Sequence, residues 1–169
     1  METSEFLSDA FGRIRVVVHG SVDGLPAELL GTQPDPSANS IAWLLWHLTR
    51  IQDDHIAGAA GCAQVWDEQG WYERFGLPFG RAETGYGQNA REVGAVQVTD
   101  ASLLTGYHDA VFERTIDFLG PLSGTDFDRV VDDSWDPPVT LGVRLVSIVA
   151  DDLQHAGQAA FLRGWLERR

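Results

Sequence analysis

The amino-acid sequence predicts an all-α fold, a bundle of four main helices with a long crossover between the second and third helices. Four long segments repeat apolar residues at intervals of three and four, which is typical of helices with one buried face. Strand signals are weak, and only the segments GAVQV and DRVV could form strands. The length of 169 residues suits one domain, so residues 1–169 are expected to form a single helical bundle.

The first two predicted helices are separated by a proline-rich loop. The first runs from about Ser4 to His19 with apolar residues at helical spacing, and Gly20 and Gly24 are expected to end it. After the segment LPAELLGTQPDP, Asn39 and Ser40 offer side chains that can cap a helix start. The second helix therefore follows as IAWLLWHLTRIQDDHIAGAAG.

A long connection, from about Gly61 to Val98, leads to the third predicted helix. It is rich in glycine and contains the aromatic segment VWDEQGWYERFGLPFG. Connections of this length inside a compact domain usually have a function, for example as a lid over a binding site. The third helix begins after Thr99 and stops at Gly120, and the fourth begins after Thr140 and continues almost to the C-terminus.

Composition excludes several classes of partner. The formal net charge is −13, which repels nucleic-acid phosphates and anionic lipids. No uncharged apolar run reaches the roughly 18 residues of a membrane span, and the N-terminus lacks a secretion signal, so a cytoplasmic location is expected. All 12 basic residues are arginines, which indicates a GC-rich genome. The single cysteine, Cys62, excludes an intramolecular disulfide or a zinc site built on paired cysteines, and an inert thiol is favoured over a catalytic one.

The segment DDLQHAGQ places charged residues on the apolar face of the fourth helix. At 100° per residue, His155 shares its face with Ile148 and Leu162, and Asp151 lies one turn before it. Burying such groups costs several kcal/mol unless a partner compensates them. The i,i+4 spacing lets Asp151 and His155 converge on one point, as metal ligands on one helix do.

The second helix carries another imidazole on its apolar face, His47, flanked by Trp43, Leu44 and Ile51. Two imidazoles and one carboxylate form the protein ligand set of many catalytic zinc sites. Ring nitrogens of His47 and His155 are then expected about 3–3.5 Å apart, for ligands at about 2.1 Å from one ion. A pair of hydrogen-bonded core histidines is the alternative that spacing leaves open.

Other polar residues fit the same ion less well. Asp54 lies about 10 Å along the second helix from His47. His55 is rotated away, which favours a surface or hydrogen-bonded role, and His19 suits the C-terminal end of the first helix. His108 lies on the apolar stripe of the third helix, so its participation stays open. A di-iron bundle is disfavoured because the two Glu-x-x-His motifs it requires are absent.

The segment SIAWLLWHLTRIQDDH, the pattern D-x-x-x-H-x-G-Q on a C-terminal helix and the long crossover resemble the DinB-like metal-binding four-helix family. The likeness extends to its mycothiol-dependent branch, which includes mycothiol S-transferases and the N-terminal domain of mycothiol-dependent maleylpyruvate isomerase. It covers roughly residues 4–165 and implies His47, Asp151 and His155 as metal ligands. Aspartate stands at 151 where relatives usually have Glu or His. An actinobacterial source agrees with the arginine-rich composition.

The resemblance implies an enzyme that uses a divalent metal, with zinc favoured, to transfer mycothiol to an electrophile, a detoxification reaction. Arg144, on the face of His155, is a candidate contact for the far end of the thiol, with pairing to an acid favoured as the alternative. Trp71, in the aromatic segment of the crossover, is a candidate wall of the thiol site, with plain packing equally favoured. The sequence identifies no catalytic residue beyond the metal ligands.

Two other functions stay open at this point. The chain could be a non-catalytic DinB-like metal-binding or scaffold protein, or a metal-dependent hydrolase in which Asp152 serves as the base. Small-molecule partners are expected, a thiol and an electrophile, and the protein is expected to be a monomer or a homodimer.

Overall fold

The computed structural model describes residues 2–168 and confirms the all-α prediction. Four long helices form the bundle, and three short helices lie in the crossover. In chain order the helices are α1 Thr3–Val22, α2 Ile41–Ala60, α3 Val65–Glu68, α4 Trp71–Phe75, α5 Ala90–Gly94, α6 Ala101–Leu119 and α7 Leu141–Leu166. Two short 3₁₀ turns, Ala27–Leu29 and Gly124–Asp128, lie in the connections before α2 and after α6.

The long helices begin where the sequence offers capping side chains. The Ser40 hydroxyl accepts a hydrogen bond from the Trp43 amide at the start of α2, and Thr140 accepts one from the Val143 amide at the start of α7. Gly61 ends α2 in the left-handed conformation that glycine adopts without strain, at φ 68°. Helix α1 continues through Gly20 to Val22, so it ends later than expected.

Each long helix packs against two others. Both α1 and α2 contact α6 and α7 extensively, whereas α1 and α2 touch each other little and therefore lie on a diagonal of the bundle. Every residue from 41 to 50 in α2 is buried, which makes the first half of α2 the most enclosed part of the four long helices. His47 lies in this segment, so the position of α2 decides the surroundings of the candidate site.

The crossover is more ordered than a simple loop. Its aromatic residues Trp66, Trp71 and Phe75 are buried and surround Tyr107 of α6. These side chains extend the hydrophobic core beyond the four long helices.

Only one of the two weak strand signals forms a strand. The segment DRVV contributes to β1, Val130–Asp132, which pairs antiparallel with β2, Val139–Thr140. The segment GAVQV does not form a strand: Gly94 ends α5, and Val96 and Val98 pack into the core from an irregular segment. Alternating apolar residues arise here because every second side chain meets the core, without a neighbouring strand. Within residues 2–168, no helix combines the length and apolar character that a membrane span requires.

Candidate metal centre

The structure brings the three expected ligands, His47, Asp151 and His155, to one place. One potential ligand atom of each lies within 4.8 Å of those of the other two. The two imidazole rings have centroids 4.9 Å apart, and His155 Nε2 lies 3.5 Å from Asp151 Oδ1. A tetrahedral zinc site holds its ligand atoms about 3–3.5 Å apart, so small side-chain rotations would complete the convergence.

Helix packing explains why these residues meet. His47 is 5% exposed and faces α7 from the buried part of α2. Asp151 and His155 are half-buried and one turn apart on the face of α7 that packs against α2. The indole of Trp43 stacks on the His47 ring at 4.6 Å, with 17° between the planes. This stacking covers one face of the first ligand and limits how its ring can turn.

A backbone carbonyl from the crossover orients His47. Its Nδ1 lies 2.6 Å from the carbonyl oxygen of Thr84. A carbonyl oxygen can only accept, so the Nδ1–H donates and the lone pair stays on Nε2. Metal-binding histidines commonly use a hydrogen bond of this kind to fix the ring and its tautomer.

The turn that provides this carbonyl requires glycine at position 85. Gly85 has φ +91°, and a Cβ atom there would lie 2.8 Å from His47 Nδ1 and 3.0 Å from a Trp46 ring carbon. The carboxylate of Glu83 accepts hydrogen bonds from the amides of Thr84 and Gly85, at 3.1 and 2.8 Å. The crossover therefore closes directly on the first ligand.

A side chain of α7 orients the second histidine in the same way. His155 Nδ1 lies 3.0 Å from Oε1 of Gln158, one turn further along the helix. The Nδ1–H donates to this amide oxygen, which leaves Nε2 on the side of Asp151. The second carboxylate oxygen of Asp151, Oδ2, is buried and receives no hydrogen bond from any residue in the described range 2–168. Buried carboxylate oxygens are normally satisfied, so this atom indicates a missing partner.

Electrostatics keep the three groups in different protonation states. Burial lowers the pKa of His47 and favours the neutral imidazole that a metal requires. Burial also acts to lower the pKa of His155, but hydrogen bonds to Asp151 and Gln158 outweigh it and raise that pKa. For Asp151, burial acts to raise the pKa, and the hydrogen bond and charge of His155 outweigh it, so the pKa is lowered. Asp151 is therefore a carboxylate, which complements a cation.

Three features of the triad decide whether it can bind a divalent cation. Two imidazoles present Nε2, both Nδ1 atoms are held by acceptors, and a carboxylate with an unsatisfied oxygen completes the set. Two nitrogens and one oxygen from protein, with room for further ligands, match the makeup of catalytic zinc sites. The triad fits such a cation.

Arg144 lies near the N-terminal end of α7, away from the candidate ligands, and pairs with an acid. Its Nη2 donates to Asp132 Oδ2 at 2.8 Å, and its Nη1 lies 3.4 Å from His55 Nε2. Together with Asp54 these residues line a polar cavity of about 210 Å³. Arg144 thus pairs with an acid, the alternative that the sequence favoured. A contact between Arg144 and a bound thiol stays a prediction.

Trp71 lies in the hydrophobic core. It is 5% exposed, and its ring packs against Tyr107 at 5.6 Å and against Phe75 at 6.5 Å. Packing accounts for this position, and a contact between Trp71 and the thiol stays a prediction. From the crossover, the residues that approach His47 are instead Thr84 and Gly85.

The remaining polar candidates lie outside the triad. His108 and Asp152 are fully buried, and neither side chain has a hydrogen-bond partner between residues 2 and 168. Burial lowers the pKa of His108 to about 4 and raises the pKa of Asp152 well above its ordinary value. His19 pairs with Asp109 of α6 at 2.8 Å, an interhelical contact that its place at a helix end did not indicate. Cys62 is exposed.

Comparison with known proteins agrees with this geometry. Residues 10–159 match the sequence profile of the DinB superfamily. The chain belongs to the DinB superfamily. A crystal structure of a conserved protein from Enterococcus faecalis is similar, with 29% sequence identity, 96% of both chains covered and a TM-score of 0.90. No curated protein sequence matches the chain significantly. The protein is thus a DinB helical domain with a candidate site for a divalent metal.

Proposed function

We propose that this DinB protein is a metal-dependent thiol S-transferase that conjugates mycothiol to an electrophilic small molecule. The observation that carries the proposal is the convergence of His47, Asp151 and His155, with both imidazoles held through Nδ1. A purely structural role would not require three ionisable ligands to face one another between two helices. The zinc preference rests on the nitrogen-rich ligand set.

The chemical need for a cation follows from the thiol. A free thiol is mostly protonated at neutral pH, and the thiolate is the nucleophile. A bound divalent cation supplies the positive charge that lowers the pKa of a thiol beside it. The residues of this chain hold and orient that group, and Trp43 excludes water from one face of His47. In the overall reaction the sulfur forms a bond to carbon, the leaving group departs with the electron pair, and the thiol proton goes to solvent.

The polar end of the α2–α7 face suits the hydrophilic part of mycothiol. Asp54, His55, Asp132 and Arg144 offer donors and acceptors close together on the same face as the triad, toward the N-terminal end of α7. A sugar-based thiol can use both kinds of group through its hydroxyls. The formal charge of −13 disfavours thiols with a net negative charge, and glutathione is such a thiol. The resemblance to the mycothiol-dependent branch supports the same choice.

The decisive experiment measures metal content and thiol transfer on the same preparation. Protein purified without added metal is analysed for bound metals, and conjugation of mycothiol to monobromobimane is followed with zinc, with a chelator, and after zinc is restored. We expect about one metal per chain and a rate that disappears with chelation and returns with zinc, with glutathione a poor substitute. Metal-loaded protein without a rate above buffer for any small thiol, across several electrophiles, would instead indicate a non-catalytic metal-binding or scaffold protein.

A further inference from the structure

A second groove lies on the α2–α7 face, at the end opposite Arg144. It has a volume of about 260 Å³. Leu44 of α2 and Leu162 of α7 are its buried apolar residues, and Phe161 and Trp165 of α7 line it beside them. Phe161 is 72% exposed, so it offers apolar surface at the edge of the groove.

Among the described residues 2–168, no charged side chain lines this groove. Its other lining residues are Pro34, Asn39 and Gln158, so its polar side-chain groups are two amides and the indole N–H of Trp165. The cavity at the Arg144 end is the reverse case, because Asp54, His55, Asp132 and Arg144 all line it. One face of the protein therefore has an uncharged end and a charged end, and the candidate ligands lie between them.

The uncharged groove lies beside the candidate metal centre and shares Gln158 with its surroundings. Leu44 lies one turn before His47 on α2, and Gln158 is the residue whose amide oxygen accepts from His155 Nδ1. Leu162 follows His155 by two turns of α7, about 10 Å along the axis. A molecule lying in the groove can therefore place a reactive atom beside the triad while its apolar part contacts Leu44, Phe161 and Leu162.

We propose that this groove binds the apolar part of the electrophile and that the electrophile is a neutral molecule with a ring-sized hydrophobic group. This inference rests on the proposed function, because the ligand of the groove is an electrophile only if the protein transfers a thiol. The volume lies slightly below the usual lower end of about 300 Å³ for ligand pockets, which suits a group of about one ring. The formal charge of −13 disfavours anionic electrophiles.

The reaction that this arrangement favours is displacement at a carbon next to the ring. With benzyl bromide, the thiol sulfur forms a bond to the benzylic carbon, the carbon–bromine bond breaks, bromide leaves with the electron pair, and the thiol proton goes to solvent. Iodoacetamide undergoes the same displacement without an apolar group. The pair therefore separates the contribution of the groove from the contribution of the metal centre.

The test compares Phe161→Ser with the matched control Val146→Ser. Val146 is 63% exposed on the same helix and does not line the groove, so both changes remove an exposed apolar side chain. In zinc-loaded protein with mycothiol, we expect Phe161→Ser to lower kcat/KM for benzyl bromide by about fivefold and for iodoacetamide by less than about twofold. Val146→Ser should leave both values near those of the parent protein.

A binding measurement makes the result independent of activity. Benzyl alcohol, which has no leaving group to lose, is titrated into metal-free protein and followed by NMR. We expect it to bind the parent protein and Val146→Ser equally, and Phe161→Ser about fivefold more weakly. If thiol transfer fails but this binding pattern holds, the groove assignment stands and the proposed function falls.

Two results would overturn the inference. The first is equal binding of benzyl alcohol to all three proteins together with an unchanged preference for benzyl bromide, which would leave the thiol-transfer proposal intact. The second is no binding to any of them, with Phe161→Ser alone changing the oligomeric state in analytical ultracentrifugation. A second copy of the chain, rather than a small molecule, would then cover Phe161.

Discussion

Helix α2 carries two polar clusters that differ in how completely their atoms are satisfied. In the first, Arg50 and Asp53 are buried about one and two turns beyond His47, and each has several partners. The Arg50 guanidinium donates hydrogen bonds to the carbonyl oxygens of Arg81 and Glu83, to Gln64 Oε1 and to the Tyr107 hydroxyl. The Asp53 carboxylate accepts hydrogen bonds from the amides of Val65 and Trp66 and from the Tyr107 hydroxyl.

The second cluster, the candidate metal centre, leaves one carboxylate oxygen without a partner. The Nδ1 atoms of His47 and His155 have acceptors, but their Nε2 atoms lie on the side of Asp151, whose Oδ2 receives no hydrogen bond within the described chain. Buried charges that serve structure are normally compensated by protein groups, as at Arg50. The difference indicates that the first cluster fixes the crossover on α2, whereas the second has the character of a candidate cation site.

The largest effect should come from removing one ligand. His47→Ala or His155→Ala is expected to abolish stoichiometric metal binding, because a three-ligand site is left with two donors. His55→Ala is the control and should keep the metal, since His55 lies about 12 Å along α2 from His47. Metal analysis of purified protein, with circular dichroism to confirm folding, measures this. Full metal content in both ligand variants would show that the triad is a core feature and not a site.

A substitution in the first cluster should have the opposite effect, a loss of stability with metal binding retained. Asp53→Ala is expected to lower the free energy of unfolding by about 3–5 kcal/mol, because it leaves Arg50 buried without its counter-charge. The folded fraction should still bind one metal per chain. Urea denaturation measures the loss, and Asp54→Ala, at a half-buried neighbour, should cost less than about 1 kcal/mol. An Asp53→Ala protein with normal stability would remove the distinction between the two clusters.

His108 is a buried imidazole with no hydrogen-bond partner among the described residues, and it is not one of the candidate metal ligands. Its folded-state pKa is about 4, below the ordinary value of 6.5, because of burial. Neutral His108 therefore adds its full stabilisation above pH 6.5. As the pH falls from 6.5 toward 4 this stabilisation is lost, because the imidazole takes up a proton in the unfolded chain but not in the folded chain. The loss amounts to about 2 kcal/mol at pH 5.

Urea denaturation at pH 7 and pH 5 measures this loss. His108→Phe should lose about 2 kcal/mol less than the parent protein between these pH values. Equal losses in the two proteins would show that His108 does not stay neutral. Metal content should be unaffected by the substitution, because the ligand group consists of His47, Asp151 and His155.

The smallest effect concerns the residue that orients His155. Gln158→Ala is expected to weaken zinc affinity by about tenfold, the lower end of the range for residues that support a ligand, because water can replace the exposed amide. Gln158→Glu keeps an acceptor for Nδ1 and should restore the affinity. Gln154→Ala, which removes a bond to the Ala150 carbonyl one turn away, is the control. Competition titration with a zinc chelator measures these constants, and unchanged affinity in Gln158→Ala would assign the bond no role.

The sequence was sufficient for the helices and for the faces on which His47, Asp151 and His155 lie, because these depend on spacing within one helix. Their grouping as three ligands was implied by the family resemblance and not by spacing. Asp151 and His155 are one turn apart, and the apolar neighbours of His47 show which face of α2 is buried. The supports could not be predicted in this way. Thr84 contributes a backbone carbonyl, which no side-chain pattern reveals, and Gly85 is one of many glycines in the crossover. Its importance appears only in its φ angle and in the distance from its missing Cβ to His47.

The ligands come from α2 and α7, and this separation along the chain sets when the centre can form during synthesis. Translation proceeds from the N-terminus, so His47 leaves the ribosome long before Asp151 and His155. A nascent chain that ends within α6 presents one imidazole and cannot retain a cation at this site. A cation bound by this triad would therefore be acquired late, after the docking of α7 on α2. Zinc supplied to the finished protein should then be as effective as zinc present during translation.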